Sequence, residues 1–177
     1  MDDALLPTGL PAAIDEPMPA LLDEVSAWLM AQALDEAGIR GLVQGTCQRL
    51  YAAGLPITRM HVAFNVLHPL YSGMGVTWKR EAGAAVESYA HHDDDILPDP
   101  FRRSPQYYMM THRVPLLRRR LTGPEAMDDF PILADLRAAG GTDYLAFLVS
   151  FANSDSEGIL GSWLIDREGG FTEREIM

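Results

Sequence analysis

Residues 58–68 alternate between apolar side chains and side chains that are mostly polar or small. The apolar set is Met60, Val62, Phe64 and Val66, and the other set is Arg59, His61, Ala63, Asn65 and Leu67. Successive side chains on a β-strand point to opposite faces, so this period of two predicts a strand with one apolar face. The other face carries polar groups that need partners wherever they are buried.

Helix signals precede this strand, and further strands and helices follow it. Residues 21–33 and 41–53 place apolar side chains at helical spacing. Segments 76–80 and 85–90 complete a predicted meander with the first strand. Serine at position 104 can cap free amide hydrogens and proline at 105 fits a first helical position, so a helix begins there and continues through residue 112. We then expect a strand over 114–121, a helix over 130–139, and a hairpin of strands 142–151 and 158–166.

The composition limits the class of protein and its partners. With 177 residues, 47% of them hydrophobic, the chain can build one α/β domain with a buried core. Its net charge of -11 disfavours nucleic acid and anionic membrane surfaces, and suits a basic or neutral ligand better. The single cysteine cannot form an internal disulfide, so we expect a cytoplasmic protein. No apolar run approaches the roughly 20 residues needed to span a bilayer.

The two ends of the chain differ in character from its middle. Residues 1–19 hold four prolines among acidic and small residues, which predicts a flexible leader. Thr172 and Glu175 have the spacing of a capping box, which predicts the start of a helix over 172–177. We therefore expect a leader at 1–19, one domain at 20–171, and an exit helix that leads to an output domain outside these 177 residues.

Four segments carry a family resemblance: DFPILADLR at 129–137, GGTDYLA at 140–146, GSW at 161–163 and GGFT at 169–172. They resemble the N-terminal region of bacterial class III adenylate or guanylate cyclases, as do the WLM, HPLY and SP segments that begin at residues 28, 68 and 104. The resemblance covers about residues 20–177, and the order of elements resembles the GAF fold.

The resemblance implies a fold class and a role. The fold is an α/β (α+β) domain with a central, mainly antiparallel sheet of five or six strands, N-terminal and exit helices on one face and ligand-pocket helices on the other. The role is that of a regulatory module whose exit helix carries a signal into a cyclase dimer. These 177 residues hold no catalytic domain, so we expect no cyclase activity from them.

The polar face of the first strand predicts a ligand pocket. Alternation in the final hairpin places Tyr144 and Ala146 on one face of its first strand and Ser162 on one face of its second. Helices 107–112 and 130–136 would roof the pocket with aromatic and thioether side chains. The predicted ligand-binding residues are His61, Asn65, Trp78, Tyr107, Tyr108, His112, Tyr144, Ala146 and Ser162, although aromatic residues at such spacing also serve as core.

The sequence holds no motif that identifies a cofactor, so the cofactor stays unknown. A phosphate-binding loop and a Gly-x-Ser-x-Gly nucleophile motif are both missing from the sequence. Cys47 sits among apolar neighbours, which favours a buried structural thiol. Haem could use a histidine at 61, 68 or 112, and the HHDDD run at 91–95 could bind a metal ion or remain a solvated loop. Arginines 118–120 could bind an anion, although a solvated face is the more common use of such a run.

Three functional hypotheses remain open from the sequence. The first is a dimeric sensor that binds a small molecule and shifts the packing of its first helix against the exit helix. The second is a GAF-like dimerisation scaffold whose own side chains fill the pocket. The third is a small enzyme that uses His61 or His112 as a general base. We assign no catalytic residue and no metal ligand.

Overall fold

The computed structural model describes residues 19–34, 38–66, 71–90, 99–150 and 158–176. The predicted leader, His68 and the 91–95 run fall outside those ranges, apart from residue 19. The helices in the described ranges are α1 (Pro19–Leu34), α2 (Ile39–Ala52), α3 (Asp99–Arg102), α4 (Pro105–His112), α5 (Pro131–Ala138) and α6 (Glu173–Ile176). The strands are β1 (Ile57–Asn65), β2 (Tyr71–Lys79), β3 (Gly83–Ala90), β4 (Leu116–Arg120), β5 (Asp143–Ser150) and β6 (Gly158–Ile165).

The six strands form one antiparallel sheet in the order β3-β2-β1-β6-β5-β4. The meander β1-β2-β3 and the hairpin β5-β6 meet at the centre, where β1 pairs with β6. The register aligns His61 with Thr77 of β2 and Ser162 of β6. It also aligns Ala146 with Ser162. The predicted sheet and fold class are therefore confirmed.

One face of the sheet, called here the helix α1/α2 face, is covered by α1 and α2. Buried side chains from these helices pack against the apolar set predicted for β1, and Ile176 of α6 packs at the edge of this core. Burial of one large apolar side chain contributes roughly 1.5–3 kcal/mol, so this layer holds both N-terminal helices to the sheet. The central members are Val25, Val43, Cys47, Leu50, Met60, Val62, Val76, Trp78 and Leu145.

The opposite face, called here the helix α4/α5 face, carries a second core that is confined to half of the sheet. Helices α4 and α5 pack on β4, β5 and β6. Its buried members are Met109, Leu117, Leu121, Phe130, Leu133, Leu136, Tyr144, Ala146 and Leu164. The predicted arrangement of helices on both faces is confirmed, but the pocket helices cover only one side of the second face.

Local sequence signals explain where α4 begins and ends. The Ser104 hydroxyl accepts a hydrogen bond from the Tyr107 amide at 3.1 Å, and Pro105 occupies the first turn. The helix ends at Arg113, whose φ of 54° lies in the left-handed region. The structure thus confirms the predicted capping serine at the start of α4.

Candidate functional site

Helices α4 and α5 leave the β1-β2-β3 side of their face without a cover from the described helices. Five side chains there form what we call the polar cluster: Arg59, His61, Thr77, Glu87 and Tyr89. All five point to the same face. Arg59 and His61 alternate with the apolar set of β1, and Thr77 pairs with His61. Glu87 and Tyr89 of β3 pair with Gly75 and Gly73, which lie on the same face of β2 as Thr77. The polar cluster is the candidate ligand site.

A chain of hydrogen bonds runs across the polar cluster. The His61 Nδ1 atom lies 2.9 Å from the Thr77 hydroxyl oxygen, which donates to Glu87 Oε1 at 3.4 Å. The Tyr89 hydroxyl donates to the other oxygen of the same carboxylate, also at 3.4 Å. A hydroxyl has one hydrogen, so a threonine that donates to Glu87 must accept from His61. This direction of the hydrogen bonds assigns the ring proton to Nδ1 of His61 and leaves Nε2 as a hydrogen-bond acceptor.

The charge states in the polar cluster follow from burial and from neighbouring charges. The pKa of His61 falls from 6.5 to about 4, chiefly because the ring is buried and also because of the Arg59 cation, while Glu87 opposes both effects. His61 is consequently a neutral ring at physiological pH. Burial also lowers the pKa of Arg59, while Tyr144, Glu87 and Tyr89 raise it. An arginine remains charged in such a setting, because its ordinary pKa is above 12.

Glycines in β2 form part of the floor of the polar cluster. A Cβ atom added at Gly75 would collide with the Tyr89 hydroxyl and would lie 3.1 Å from Cε1 of His61. A Cβ atom at Gly73 would lie 3.5 Å from the Tyr89 ring. The ring therefore lies across a strip of bare backbone beside the imidazole. Tyr89 is itself 38% exposed, so its ring forms the solvent-facing wall of the polar cluster.

Three of the predicted residues lie where the polar cluster meets the second core. Tyr144 and Ser162 are 1% and 0% exposed, and Ala146, which pairs with Ser162, is also buried. The Tyr144 hydroxyl accepts a hydrogen bond from the Gln106 side chain at 3.3 Å. Ser162 Oγ lies beside the Tyr144 hydroxyl and influences its pKa, yet it makes no hydrogen bond of normal geometry to a described residue. A buried hydroxyl without a good partner is available to a ligand or a water molecule.

The other predicted residues lie outside this constellation. Trp78 is 3% exposed and belongs to the core under α1 and α2, on the opposite face of the sheet from His61. Asn65 ends β1 and is exposed. Tyr107, Tyr108 and His112 line a shallow groove of about 300 Å³ between α4 and the start of α5. The imidazole of His112 stacks on Tyr108 at 4.2 Å, and its Nδ1 contacts the Tyr108 carbonyl at 2.9 Å.

The structure therefore does not place α4 and α5 above His61 as the sequence predicts. The two helices pack over β4 and β5 through a continuous apolar core. Its members include Leu133 and Leu136 of α5 and Leu117 of β4. The apolar residues of the two helices pack there with Leu117 of β4 and Leu164 of β6, and burial of such side chains stabilises this placement. The polar cluster lies beside these helices, on a part of the sheet that no described helix covers.

Arginines 118–120 do not form the solvated face that the sequence favours. Arg118 donates two hydrogen bonds to Oδ2 of Asp143, at 3.0 and 2.7 Å, and Arg120 lies 3.4 Å from the same oxygen. Arg119 forms a bidentate pair with Asp129 on the other face. Asp143 is 0% exposed. The role of Asp143 has no local signal in the sequence, because its partners are more than 20 positions away along the chain.

The buried carboxylate of Asp143 also holds the start of α6. The Phe171 amide donates to Asp143 Oδ2 at 2.9 Å, and Arg118 donates to the Phe171 carbonyl at 2.7 Å. Glu175 accepts a hydrogen bond from the Thr172 amide at 2.7 Å, which is one half of the predicted capping box, and also pairs with Arg167; the Thr172 hydroxyl makes no hydrogen bond to a described residue. A concavity of about 700 Å³ lies beside these contacts. We call Arg118, Arg120, Asp143 and Phe171 the exit-helix anchor.

The remaining sequence hypotheses concern metals, haem and the thiol. Within the described ranges, no three His, Cys, Asp or Glu side chains come close enough together to hold a metal ion. The alternative that used residues 91–95 and the haem alternative at His68 lie outside those ranges. Cys47 is fully buried, its Sγ lies 3.2 Å from the Met60 sulfur, and burial raises its pKa to about 12. The prediction of a buried structural thiol is confirmed.

None of the described helices is long and apolar enough to cross a membrane.

The comparisons with known proteins find similar solved structures. One is the GAF domain of a two-component sensor histidine kinase from Bacillus halodurans, at 9% identity and a TM-score of 0.50; the match covers 78% of this chain and 84% of that one. Another is the phycoerythrobilin-bound GAF domain from a cyanobacterial phytochrome, at 13% identity and a TM-score of 0.49, with 90% and 89% covered. No family model matches the chain, and no curated protein sequence matches it. The histidine-kinase match, together with the six-stranded sheet and its helices on both faces, shows that this chain has a GAF-like fold.

Proposed function

We propose that the chain is a non-catalytic sensory domain that binds a small molecule at the polar cluster and transmits the event to its exit helix. The observation that supports this most directly is the pair of half-buried polar side chains, Arg59 and His61, on a part of the sheet that no described helix covers. Neutral His61 and charged Arg59 both occupy that face. Burying such groups costs free energy unless they find partners, and a ligand supplies those partners.

The route of transmission begins at β5. Tyr144 and Asp143 are consecutive residues, so their side chains point to opposite faces of the sheet. Tyr144 borders the polar cluster, while Asp143 holds Phe171 in the exit-helix anchor. A ligand that shifts the Tyr144 end of β5 also shifts the carboxylate that fixes the start of α6. In this proposal β5 is the physical element that the two sites share.

The output domain and the assembly state complete the proposal. The resemblance of segments 129–137 and 161–163 to the N-terminal region of class III cyclases supports a nucleotide cyclase as the output domain, in a cytoplasmic parent protein. A homodimer would pair α1 and α6 of two copies. Met30 on α1 is 75% exposed and supplies apolar surface for such a contact. Analytical ultracentrifugation tests the assembly state: a sedimentation mass of one chain at tens of micromolar contradicts the dimer.

The geometry supports an enzyme less well than a sensor. His61 contacts the carboxylate of Glu87 only through the Thr77 hydroxyl. A pKa of about 4 makes its imidazole a weak base at neutral pH, whereas effective general bases have a pKa near the working pH. The scaffold alternative predicts that no small molecule affects the polar cluster.

The test of the sensory proposal is NMR spectroscopy on the isotopically labelled chain. The low-molecular-weight fraction of a cell extract is added, and the amide signals of Ala63, Gly73 and Gly75 are followed together with that of Phe171. Binding at the polar cluster with transmission predicts shifts in both groups. A variant with Ala63→Trp, which fills the floor, should lose both responses, whereas Val86→Trp on the opposite face of β3 should keep them. An unchanged spectrum in saturating extract would favour the scaffold.

A further inference from the structure

We propose that the polar cluster recognises a small monocarboxylate that also carries a hydrogen-bond donor, with Arg59 binding the carboxylate and His61 accepting from the donor. The inference rests on the proposed sensory function and adds the chemical class of the ligand. Three observations carry it: the lack of a hydrogen-bonding partner for the Arg59 guanidinium among the described residues, the tautomer of His61, and the position of Glu87.

Arg59 differs from the other partly buried arginines of the sheet. Arg80, Arg118 and Arg119 each pair with a carboxylate, at 2.6, 2.7 and 2.7 Å. The guanidinium of Arg59 makes no hydrogen bond and no ion pair with any residue that the structure describes, although burial already disfavours its charge. A guanidinium presents five donors in a planar fork that matches a carboxylate. Burial of the Arg59 guanidinium therefore costs free energy, and no described residue supplies a hydrogen-bond acceptor that would offset the cost.

The local charge fits a ligand with one negative charge. Glu87 lies near enough to raise the pKa of Arg59, and its oxygens already accept from Thr77 and Tyr89. Lys79 pairs with Arg59 on the same face, so two cations stand near the one carboxylate and the local charge before binding is +1. A monocarboxylate brings that local charge to zero, whereas a phosphate dianion brings it to -1. The net charge of -11 favours basic or neutral ligands over the whole surface, but at this position the unpaired arginine dominates within a few ångströms.

The His61 ring determines what the rest of the ligand offers. Its Nδ1–H donates to Thr77, so Nε2 can only accept. A hydroxyl or N–H group on the ligand satisfies that acceptor. The Tyr89 ring, lying across Gly75, provides an aromatic wall for a flat ligand body. The combination describes a hydroxy- or amino-substituted carboxylic acid of modest size.

The experiment uses three probes on the whole chain: 4-hydroxybenzoate, its uncharged amide 4-hydroxybenzamide, and inorganic phosphate. NMR titration measures the dissociation constant of each from the amides of the polar cluster. We expect 4-hydroxybenzoate to bind at least tenfold more tightly than the other two. Arg59→Gln should weaken its binding by about ten- to a hundredfold, because a charge-assisted hydrogen-bond pair is lost. Arg59→Lys keeps the charge without the fork and should give an intermediate value.

The matched control is Lys79→Gln. Lys79 pairs with Arg59 across β1 and β2, points to the same face and is exposed, so its loss removes the same charge without removing the fork. An equal loss of affinity in Lys79→Gln and Arg59→Gln would show attraction by a general field and overturn the inference. Equal binding of the amide would also overturn it, as would no response of the cluster to 10 mM 4-hydroxybenzoate. If the cluster amides still shift in cell extract, the sensory proposal survives each of those results.

Discussion

The carboxylate of Asp143 accepts a hydrogen bond from the backbone amide of Phe171 at 2.9 Å, across 28 positions of the chain. Asp143 is the first residue of β5, and Phe171 lies two residues before α6. The contact ties the central sheet to the exit helix through a fully buried charge that Arg118 and Arg120 balance. The start of α6 is therefore held to the sheet through this carboxylate.

Replacing Asp143 with asparagine tests that dependence. The substitution keeps the size of the side chain but leaves Arg118 and Arg120 without their shared counter-charge. Removal of one partner from a buried ion pair costs about 3–5 kcal/mol, and the partial exposure of the arginines places the expected loss of unfolding free energy toward about 2–3 kcal/mol. Urea denaturation followed by circular dichroism measures the loss. Hydrogen exchange of the Phe171 amide should accelerate in parallel.

Asp129→Asn is the control for that substitution. Asp129 pairs with Arg119 through a carboxylate that is 43% exposed, and exposed pairs contribute about 1 kcal/mol or less. We expect a change of that size and no faster exchange at Phe171. If both variants lose the same stability and leave the Phe171 amide equally protected, Asp143 is not an anchor of the exit helix.

Gly170 provides a second test of the exit-helix anchor. Its φ of 70° lies in the left-handed region, and a Cβ there would collide with Arg120 and Asp143. Gly170→Ala should therefore destabilise the protein by about 1–2 kcal/mol or more. Gly169→Ala is the neighbouring control, because a Cβ at that position meets nothing within 4 Å. Its thermal midpoint should stay within a few degrees of the parent, and an equal drop in both variants would contradict the geometry.

The state of His61 predicts how stability depends on pH. Its folded pKa of about 4 lies below the value of about 6.5 expected in the unfolded chain, so the fold favours the neutral ring. This contribution is fully present above pH 6.5 and is lost as the pH falls toward 4, because the unfolded chain binds the proton first. Allowing for partial exposure, we expect a loss on the order of 1–3 kcal/mol. Urea midpoints of the parent and His61→Gln, compared from pH 7 to pH 4, isolate this contribution; parallel curves would contradict it.

Cys47 should react with thiol reagents only when the domain opens. A buried thiol with a pKa near 12 has almost no thiolate at pH 8, and the thiolate is the reactive form. Ellman's reagent should therefore modify the native protein far more slowly than the protein in 6 M guanidinium. Small additions of urea should increase the native rate in step with the unfolded fraction. Immediate modification of the native protein would show that α2 does not seal this part of the core.

Alternation and helix signals in the sequence predicted much of the fold. The period of two placed the β1 side chains on their observed faces, and it did the same for Tyr144, Ala146 and Ser162. The serine and proline at the start of α4 predicted its first turn. These features depend on neighbours within a few residues, since backbone geometry alone decides which side chains share a face. His61 was accordingly assigned to the polar face of the first strand from the sequence alone.

The tertiary structure decided which half of that face the helices cover and which charges meet. Tyr107, Tyr108 and His112 lie beside α5 because the apolar surface of α4 is buried against β4 and β5, a choice made by packing between distant segments. Asp143 finds Arg118 and Phe171 only after β4, β5 and the exit segment have assembled. Contacts of this kind join residues 25 or more positions apart, so no local pattern encodes them, and the exit-helix anchor exists only in the folded chain.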